Sequence, residues 1–556
     1  MFDEENKRKS HEARQEWDSK VKQRYNQTLE FKTHSGLPLK PVYGPEDIDD
    51  IDIQDIGYPG VYPFTRSDYA LQYQFQEWKI QQIHGYGLPE DTRERMDMLV
   101  KDGMTGYFGM PVFNLVLDLA AQDGIDPDDP KAFANVGTCG MSFSHVHDFE
   151  IITKGIDLHK AQFSLITADT CVVVLAAYII AAERQGFHRS KLRGNSMNWL
   201  LRGFTCGKET FPPAPGAKIM AKLVKFCTEQ MPYWNTTNIN AYLVREAGGT
   251  AIDEVGFALA WAIATIEACI AEGLNVDQFA RRFGFQISTS MDFMEEIAKL
   301  RALRRLWAKI LSKRFGAKDP RSMHARMHVQ TSGSALTAQQ PHNNIARAAI
   351  QALAAVLGGT NGLDVSCYDE AIGIPTEEAH RVAVRTQQII MHETNLHAVT
   401  DPLAGSYCLE RLTSQIEEEV MKVIDKIDGM GGFVKALENG YPQKVLAEHA
   451  AERFDKIQNG ETIKVGVNKF AMEEEPSPVF RPDPKAETEA VERLRKLRAS
   501  RDNDKVKKRL ESIRDDIRSD GPLIPAIMEA VDVDATLGEI WKILKEEYGW
   551  IYLKNC

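Results

Sequence analysis

QFSLITADTCVVVLAAYIIAAERQG (162–186) reads as a short apolar run of strand length followed by a long apolar helical stretch. The same order recurs on both sides of it. GYFGMPVFNLVLDL (106–119) lies upstream, NINAYLVREAG precedes FALAWAIATIEACI, and FGFQIS precedes a basic amphipathic stretch. Strand followed by helix, repeated between about residues 62 and 359, predicts a parallel α/β fold, and the repeat fits a (β/α)8 TIM barrel. Residues 362–376 and 401–406 read as loops that close its last turns.

Outward from that core, residues 1–33 read as a charged helical arm with Trp17, Val21 and Tyr25 four apart, and residues 36–62 as a Pro/Gly/Asp-rich linker. The expected division is arm and linker over 1–61, barrel over 62–443, and a helical, charged extension over 444–556. Within the extension ETIKVGVNKF (461–470) reads as a short extended piece and EEEPSPVFRPDPKAE (473–487) as a linker. Residues 486–517 read as one charged helix, and the last forty residues as amphipathic helices. A net charge of −12 over 556 residues argues against nucleic acid or an anionic membrane as the main partner. The eight cysteines form no CxxC pair and read as reduced thiols. The start, MFDEENKRKSHEARQEW, is charged, and the apolar run 171–182 is too short to span a bilayer, so the expected location is the cytoplasm.

Several motifs are more specific: PGVYPFTR (59–66), PYWNTTNINAY (232–242), GLNVDQFARR (273–282), KLRALRRLWAK (299–309), HVQTSGSALTAQ (328–339), DEAIGIPT (369–376), DPLAGSY (401–407) and VGVNKF (465–470). In this order and spacing the chain resembles the catalytic subunit of the adenosylcobalamin-dependent acyl-CoA mutases, from about residue 55 to residue 549. The resemblance implies a TIM barrel that takes substrate along its axis and meets a flavodoxin-like domain holding cobalamin. That domain carries a D-x-H-x-x-G loop, which this chain lacks. The expectation is therefore a separate small cobalamin-binding subunit, docked on the C-terminal helices, with a G-protein-type reactivating chaperone as a further partner.

Residue by residue, Glu246, His328, Gln330 and Glu370 match the positions that hold the adenosyl group in the family, and Ser366 stands where the family has asparagine. His328 and Gln330 are also expected at the reacting centre, together with Ile83 and His84. The substrate side departs from the family. Ile83 replaces the tyrosine of methylmalonyl-CoA mutase, as it does in the 2-hydroxyisobutyryl-CoA branch. Gly207 or Lys208 aligns with the arginine that grips the free carboxylate. Met197 aligns with a glutamine near the thioester, and Leu243 with the histidine that bonds its carbonyl. Around the CoA tail Lys79 and Gln81 replace a Thr/Arg pair, and Arg282 is kept. A carboxylate or carbonyl buried without donors costs about 1–3 kcal/mol, so Ile83, Met197 and Leu243 favour an apolar group over a small diacid. His84, Asn114, Asn238 and Asn240 are candidates for new polar contacts, with Tyr69 and Phe75 on the aromatic approach to the site.

Two further features read as structural. His145 and His147 in SHVHDF would share one strand face without a third metal ligand, so no metal is expected there. The basic stretch 299–313 reads as one solvated helix face. Three functions follow from the resemblance and the altered pocket. The first is a CoA-free 1,2-migration on a hydroxy-ether, collapsing through a hemiacetal to ether cleavage. The second is an acyl-CoA carbon-skeleton mutase of isobutyryl, 2-hydroxyisobutyryl or alkylmalonyl type. The third is a non-catalytic scaffold, against which the retained Glu246, His328, Gln330 and Glu370 speak.

Overall fold

The computed structural model describes residues 4–25, 30–198, 200–205, 208–475 and 479–553. Eight strand positions follow one another along the chain. The first, β1, runs in two pieces, Lys79–Ile80 and Ile83–His84; β2 is Val112–Val116, β3 Gln162–Ile166 and β4 Arg193–Ser196. β5 is again split, into Trp234–Asn235 and Thr237–Asn240; β6 is Phe283–Thr289, β7 Met327–Thr331 and β8 Gly362–Asp364. Pairing is parallel throughout and forms two arcs. One runs from the second piece of β1 through β2, β3 and β4 to the first piece of β5. The other runs from the second piece of β5 through β6, β7 and β8 to the first piece of β1. The two split strands carry each arc into the other, which is the strand order of a (β/α)8 barrel. Gly362–Asp364, expected as loop, is the eighth strand.

Helices follow the strands as the alternation predicts: α1 Pro89–Asp102, α2 Val146–Thr153, α3 Cys171–Arg184, α4 Pro213–Gln230, α5 Ala251–Ala271, α6 Phe293–Lys313, α7 Asn343–Leu357 and α8 Glu377–Glu393. The apolar side of the sheet packs against them. Phe113 of β2 and Phe163 of β3 lie 4.8 Å apart by ring centroids, and Tyr178 of α3 stacks between Phe163 and Trp234 of β5. Gly194 of β4 admits this contact: a Cβ there would fall 2.0 Å from the Phe163 carbonyl oxygen and 2.7 Å from the Trp234 ring. By length and composition α5 could cross a membrane, yet 78% of its apolar window is buried inside the fold, so it is a core helix.

The solvated face expected over residues 299–313 is confined to its end, where Lys313 is exposed. Lys299, Arg301, Arg304 and Arg305 are all buried at 0–1% exposure. Each cation has found a counterpart. Lys299 reaches Glu254 at 2.6 Å and also pairs with Glu296; Arg301 pairs with Glu410 at 2.7 Å and with Asp401. Arg304 donates to the carbonyls of Thr65 at 2.9 Å and Gly358 at 2.7 Å, and Arg305 to the Thr65 hydroxyl at 3.0 Å and to Glu417 at 3.0 Å. Charges can be buried only when paired and hydrogen-bonded, and these partners lie more than a hundred residues away in several cases. The network fastens PGVYPFTR and the late helix Tyr407–Gly429 to α6.

Beyond the barrel, the expected boundary at residue 443 falls inside the helix Tyr441–Gln458, because Pro442 occupies its first turn, where proline is tolerated. The single charged helix expected over 486–517 is two, Lys485–Ser500 and Asn503–Arg518. The helices Leu523–Asp532 and Leu537–Tyr548 turn their apolar faces onto the barrel itself: Trp541 packs on Phe211 at 5.1 Å, and Arg184 of α3 bonds the Asp532 carbonyl at 2.7 Å. Those apolar faces are therefore not free to dock a subunit. At the other end the helix Glu4–Tyr25 is fastened by polar contacts such as Ser10 to Glu46 at 2.8 Å.

Candidate active site

The strands place apolar side chains outward and polar ones inward, the reverse of a barrel filled by its own core. Parallel partners share a face. Ile83, Asn114, Ser164 and Asn195 are in register across β1 to β4, and Asn240, Gln286, His328 and Gly362 across β5 to β8. One step on, Ser288, Gln330 and Asp364 align. Some of these side chains bond each other, as Gln286 does Gln330 at 2.9 Å and Ser164 does Asn195 at 3.0 Å. Others have no partner among the described residues: both polar atoms of Asn114, both ring nitrogens of His328, and the side-chain carbonyls of Asn238, Asn240 and Gln286 are buried without a hydrogen bond. Unpaired polar atoms at this density mark a wall made for a ligand.

The axis opens at the N-terminal ends of the strands into a cavity of about 320 Å³. Lys79, Arg193, Arg282 and Arg326 line it, with Tyr69, Tyr107 and Tyr233. Their contacts are neutral. Lys79 donates to Gln162 at 3.0 Å and lies 4.5 Å from the Tyr107 ring centroid; Arg193 lies 4.3 Å from that of Tyr233; Arg326 donates to Asn235 at 3.3 Å. Among the described residues none of the four has a carboxylate within ion-pair distance. Desolvation, with the neighbouring arginines, draws Arg282 down to about 10, and desolvation with Arg326 draws Lys79 down to about 8. Phe75 stands 74% exposed in an adjoining hollow that shares Tyr69 and Tyr107 with this mouth, edge-on to Phe108 at 6.4 Å.

At the C-terminal ends carboxyls gather instead. Glu246 accepts from the Ser332 hydroxyl at 2.7 Å and the Ser334 N–H at 2.8 Å. A Cβ on Gly333 would lie 3.1 Å from Glu370 Oε1 and 3.5 Å from Glu246 Oε2, so the glycine leaves a cradle between the two carboxyls. Burial and the Glu246 charge raise Glu370 to about 7, against the opposing bond from Ser366. Ser366 itself is tied to β7, its N–H and Oγ bonding Thr331 at 2.7 Å each. A pair of hydrogen-bonding carboxyls over a glycine suits the hydroxyls of a ribose, so the residues fit the adenosyl end of the implied cofactor.

Most expected residues meet on this axis, with two corrections. Ile83, Asn114, Asn240 and Gln330 face it; Met197 follows β4 on the Asn195 side, and Leu243 lies past the C-terminal end of β5, on the helix Tyr242–Glu246. His84 is in register with Leu115 and so faces the helices. Its Nδ1 meets the Gln82 carbonyl oxygen at 2.8 Å, and burial lowers it to about 4, keeping it neutral. The two-residue alternation of a strand puts neighbours on opposite faces, and Ile83 holds the inner one. His328 lies at the cavity with Lys79, lowered to about 3 by desolvation, and not at the carboxyl pair. Four residue steps along the extended chain separate it from Ser332, about 13 Å at ~3.3 Å each. Tyr69 and Arg282 belong to the mouth, and Phe75 to the hollow beside it. Lys208 pairs with Asp123 at 3.1 Å, and Gly207 lies outside the described residues. His145 caps α2, so the two histidines share no strand; His147 pairs with Glu150 at 2.7 Å and Asp534 at 3.2 Å. Arg193, Arg326 and Asp364 were not anticipated. The alternation in FGFQIS and HVQT was the one available signal for the polar inner face.

A family model described as methylmalonyl-CoA mutase matches residues 32–550. The chain is 37% identical over 95% of its length to a probable mitochondrial methylmalonyl-CoA mutase of Caenorhabditis elegans, covering 71% of that protein. It is 36% identical over 94% of its length to a 2-hydroxyisobutanoyl-CoA mutase large subunit of Aquincola tertiaricarbonis, covering 92% of it. To the methylmalonyl-CoA mutase of Escherichia coli it is 36% identical, covering 71% of that protein.

Proposed function

The chain belongs to the methylmalonyl-CoA mutase family, and from that premise we propose that it is the large subunit of a two-component acyl-CoA mutase whose acyl group carries no free carboxylate. One observation carries the reading: four cations without carboxylate partners among the described residues ring the opening of an axis lined by unpaired polar atoms. Desolvated cations recover most when they meet phosphates, and the pyrophosphate and 3′-phosphate of coenzyme A bring several such charges on a long, narrow tail. A CoA-free hydroxy-ether would leave Lys79, Arg193, Arg282 and Arg326 without a counterion, and the relatives described above are named for CoA thioesters. That reading is set aside.

Adenosylcobalamin, when bound, supplies the radical that begins a carbon-skeleton rearrangement. Glu246, Glu370 and Ser366 would hold its adenosyl end, and a small subunit would bring the corrin, as the large-subunit relative's name suggests. The chain's own residues then bind, orient and shield. The mouth cations fix the tail, the aromatic rings beside them cover it, and the apolar Ile83 and Met197 flank the acyl carbons where water would interfere.

Calorimetric titration of the chain with coenzyme A is the test. Binding in the micromolar range at pH 7 is expected. It weakens as pH rises through about 8, where Lys79 loses the charge that a bound phosphate needs. No binding at either pH would sink the reading.

A further inference from the structure

Resting on that reading, we propose that Asp364 and Asn114, on either side of Ile83, read the acyl group and select a thioester bearing a neutral hydroxyl over one bearing a plain alkyl group or a carboxylate. Three observations on adjacent strands carry it. The Ile83 N–H donates to Asp364 Oδ2 at 3.2 Å across the β8–β1 seam, and Ile83 is in register with Asn114 across β1–β2. An apolar side chain is thus bracketed by two polar ones at the inner face. Asp364 is 4% exposed, in register with Gln330, and close enough to Tyr242 and Glu370 for their charges to be coupled, which places it toward the carboxyl end of the axis. Asn114 is 1% exposed and both its polar atoms lack partners.

Burial and the neighbouring Glu370 hold the Asp364 carboxyl well above the ordinary carboxylate range, which favours its protonated form as a donor. With one oxygen engaged by Ile83, it can donate one hydrogen bond inward. Asn114 can both give and accept. A hydroxyl on the acyl group, which accepts one bond and donates another, satisfies both. An alkyl group leaves Asn114 buried and unpaired and gives the Asp364 donor nothing to bond. A carboxylate would add a fourth acid to Glu246, Asp364 and Glu370, while the mouth cations sit at the opposite strand ends. A site built to hydrogen-bond a hydroxyl rejects the analogue lacking it because its own groups are stranded.

The experiment compares coenzyme A, isobutyryl-CoA, 2-hydroxyisobutyryl-CoA and methylmalonyl-CoA as ligands of the full chain at pH 7, for the unaltered protein, Asp364→Asn and Asp364→Leu. The hydroxy ester should bind about tenfold tighter than isobutyryl-CoA, the worth of one satisfied hydrogen bond, with methylmalonyl-CoA weakest. Asp364→Asn, which keeps a donor, should hold most of that preference. Asp364→Leu should bind the hydroxy and alkyl esters alike, and unchanged affinity for coenzyme A itself reports an intact channel. If Asp364→Leu no longer binds coenzyme A, Asp364→Ala takes its place with the same expected loss. Equal affinities in the unaltered chain, or a preference that survives in Asp364→Leu, would overturn the proposal while coenzyme A binding stands. Absence of coenzyme A binding overturns the mutase reading first, and this inference with it.

Discussion

The interior of α6 and the wall of the axial channel are both crowded with buried polar side chains, and they differ in whether those side chains have partners. Lys299, Arg301, Arg304 and Arg305 each meet a carboxylate or a backbone carbonyl. Both polar atoms of Asn114, both ring nitrogens of His328 and the side-chain carbonyl of Asn240 meet no partner among the described residues. The first set closes the fold upon itself. The second holds hydrogen-bonding capacity in reserve for something that enters. Partnering, more than burial or residue type, separates scaffold from site here.

Four experiments break or sharpen that contrast. Lys299→Met should be the most damaging, because it leaves the buried Glu254 and Glu296 to share Arg245 as counterion; a loss of about 3 kcal/mol is expected, read as a fall in the denaturation midpoint. Arg326→Ala should leave that midpoint nearly unchanged and weaken coenzyme A binding by about 10- to 100-fold, the range for a charge-assisted contact of ~1.5–3 kcal/mol. If it destabilised the chain as Lys299→Met does, the mouth would belong to the scaffold. Asn114→Leu removes two unpaired buried polar atoms, so the midpoint of the ligand-free chain should hold or rise slightly while affinity for a hydroxylated thioester falls; a clear loss of stability would show a hidden partner.

The smallest effect concerns a partnered site at the surface. The hydrogen bond to Asp534, aided by Glu150, raises His147 to about 9. Its folded pKa lies above the unfolded value of ~6.5, so its contribution is complete below that pH and fades as pH climbs through 9. His147→Ala should therefore flatten a slight alkaline loosening of the C-terminal helices, measured by amide exchange at pH 7 and 9.

Much of this molecule was legible in its residues. QFSLITA and VVVLAAYIIAAERQG became β3 and α3, and the alternation around them became a barrel order, because apolar period and length are local properties. Glu246 and Glu370, matched by motif, meet over Gly333. The failures share a cause. The basic stretch 299–313 looked solvated because its counterions, Glu254, Glu410 and Glu417, are distant in sequence. His84 looked like a handle because a strand's face cannot be assigned without a partner register, and a slip of one residue exchanges every inner and outer side chain.

By itself the sequence determined the strand-and-helix order, the family, and the residue types available along each strand. These depend on neighbours a few positions apart, where propensity and periodicity act. Only the tertiary structure decided which of those residues look inward, which cations are answered and which are left over, and that positive charge gathers at one end of the axis and carboxyls at the other. Those are properties of contacts between distant segments, set when the strands pair in register and the late helices fold back upon α6.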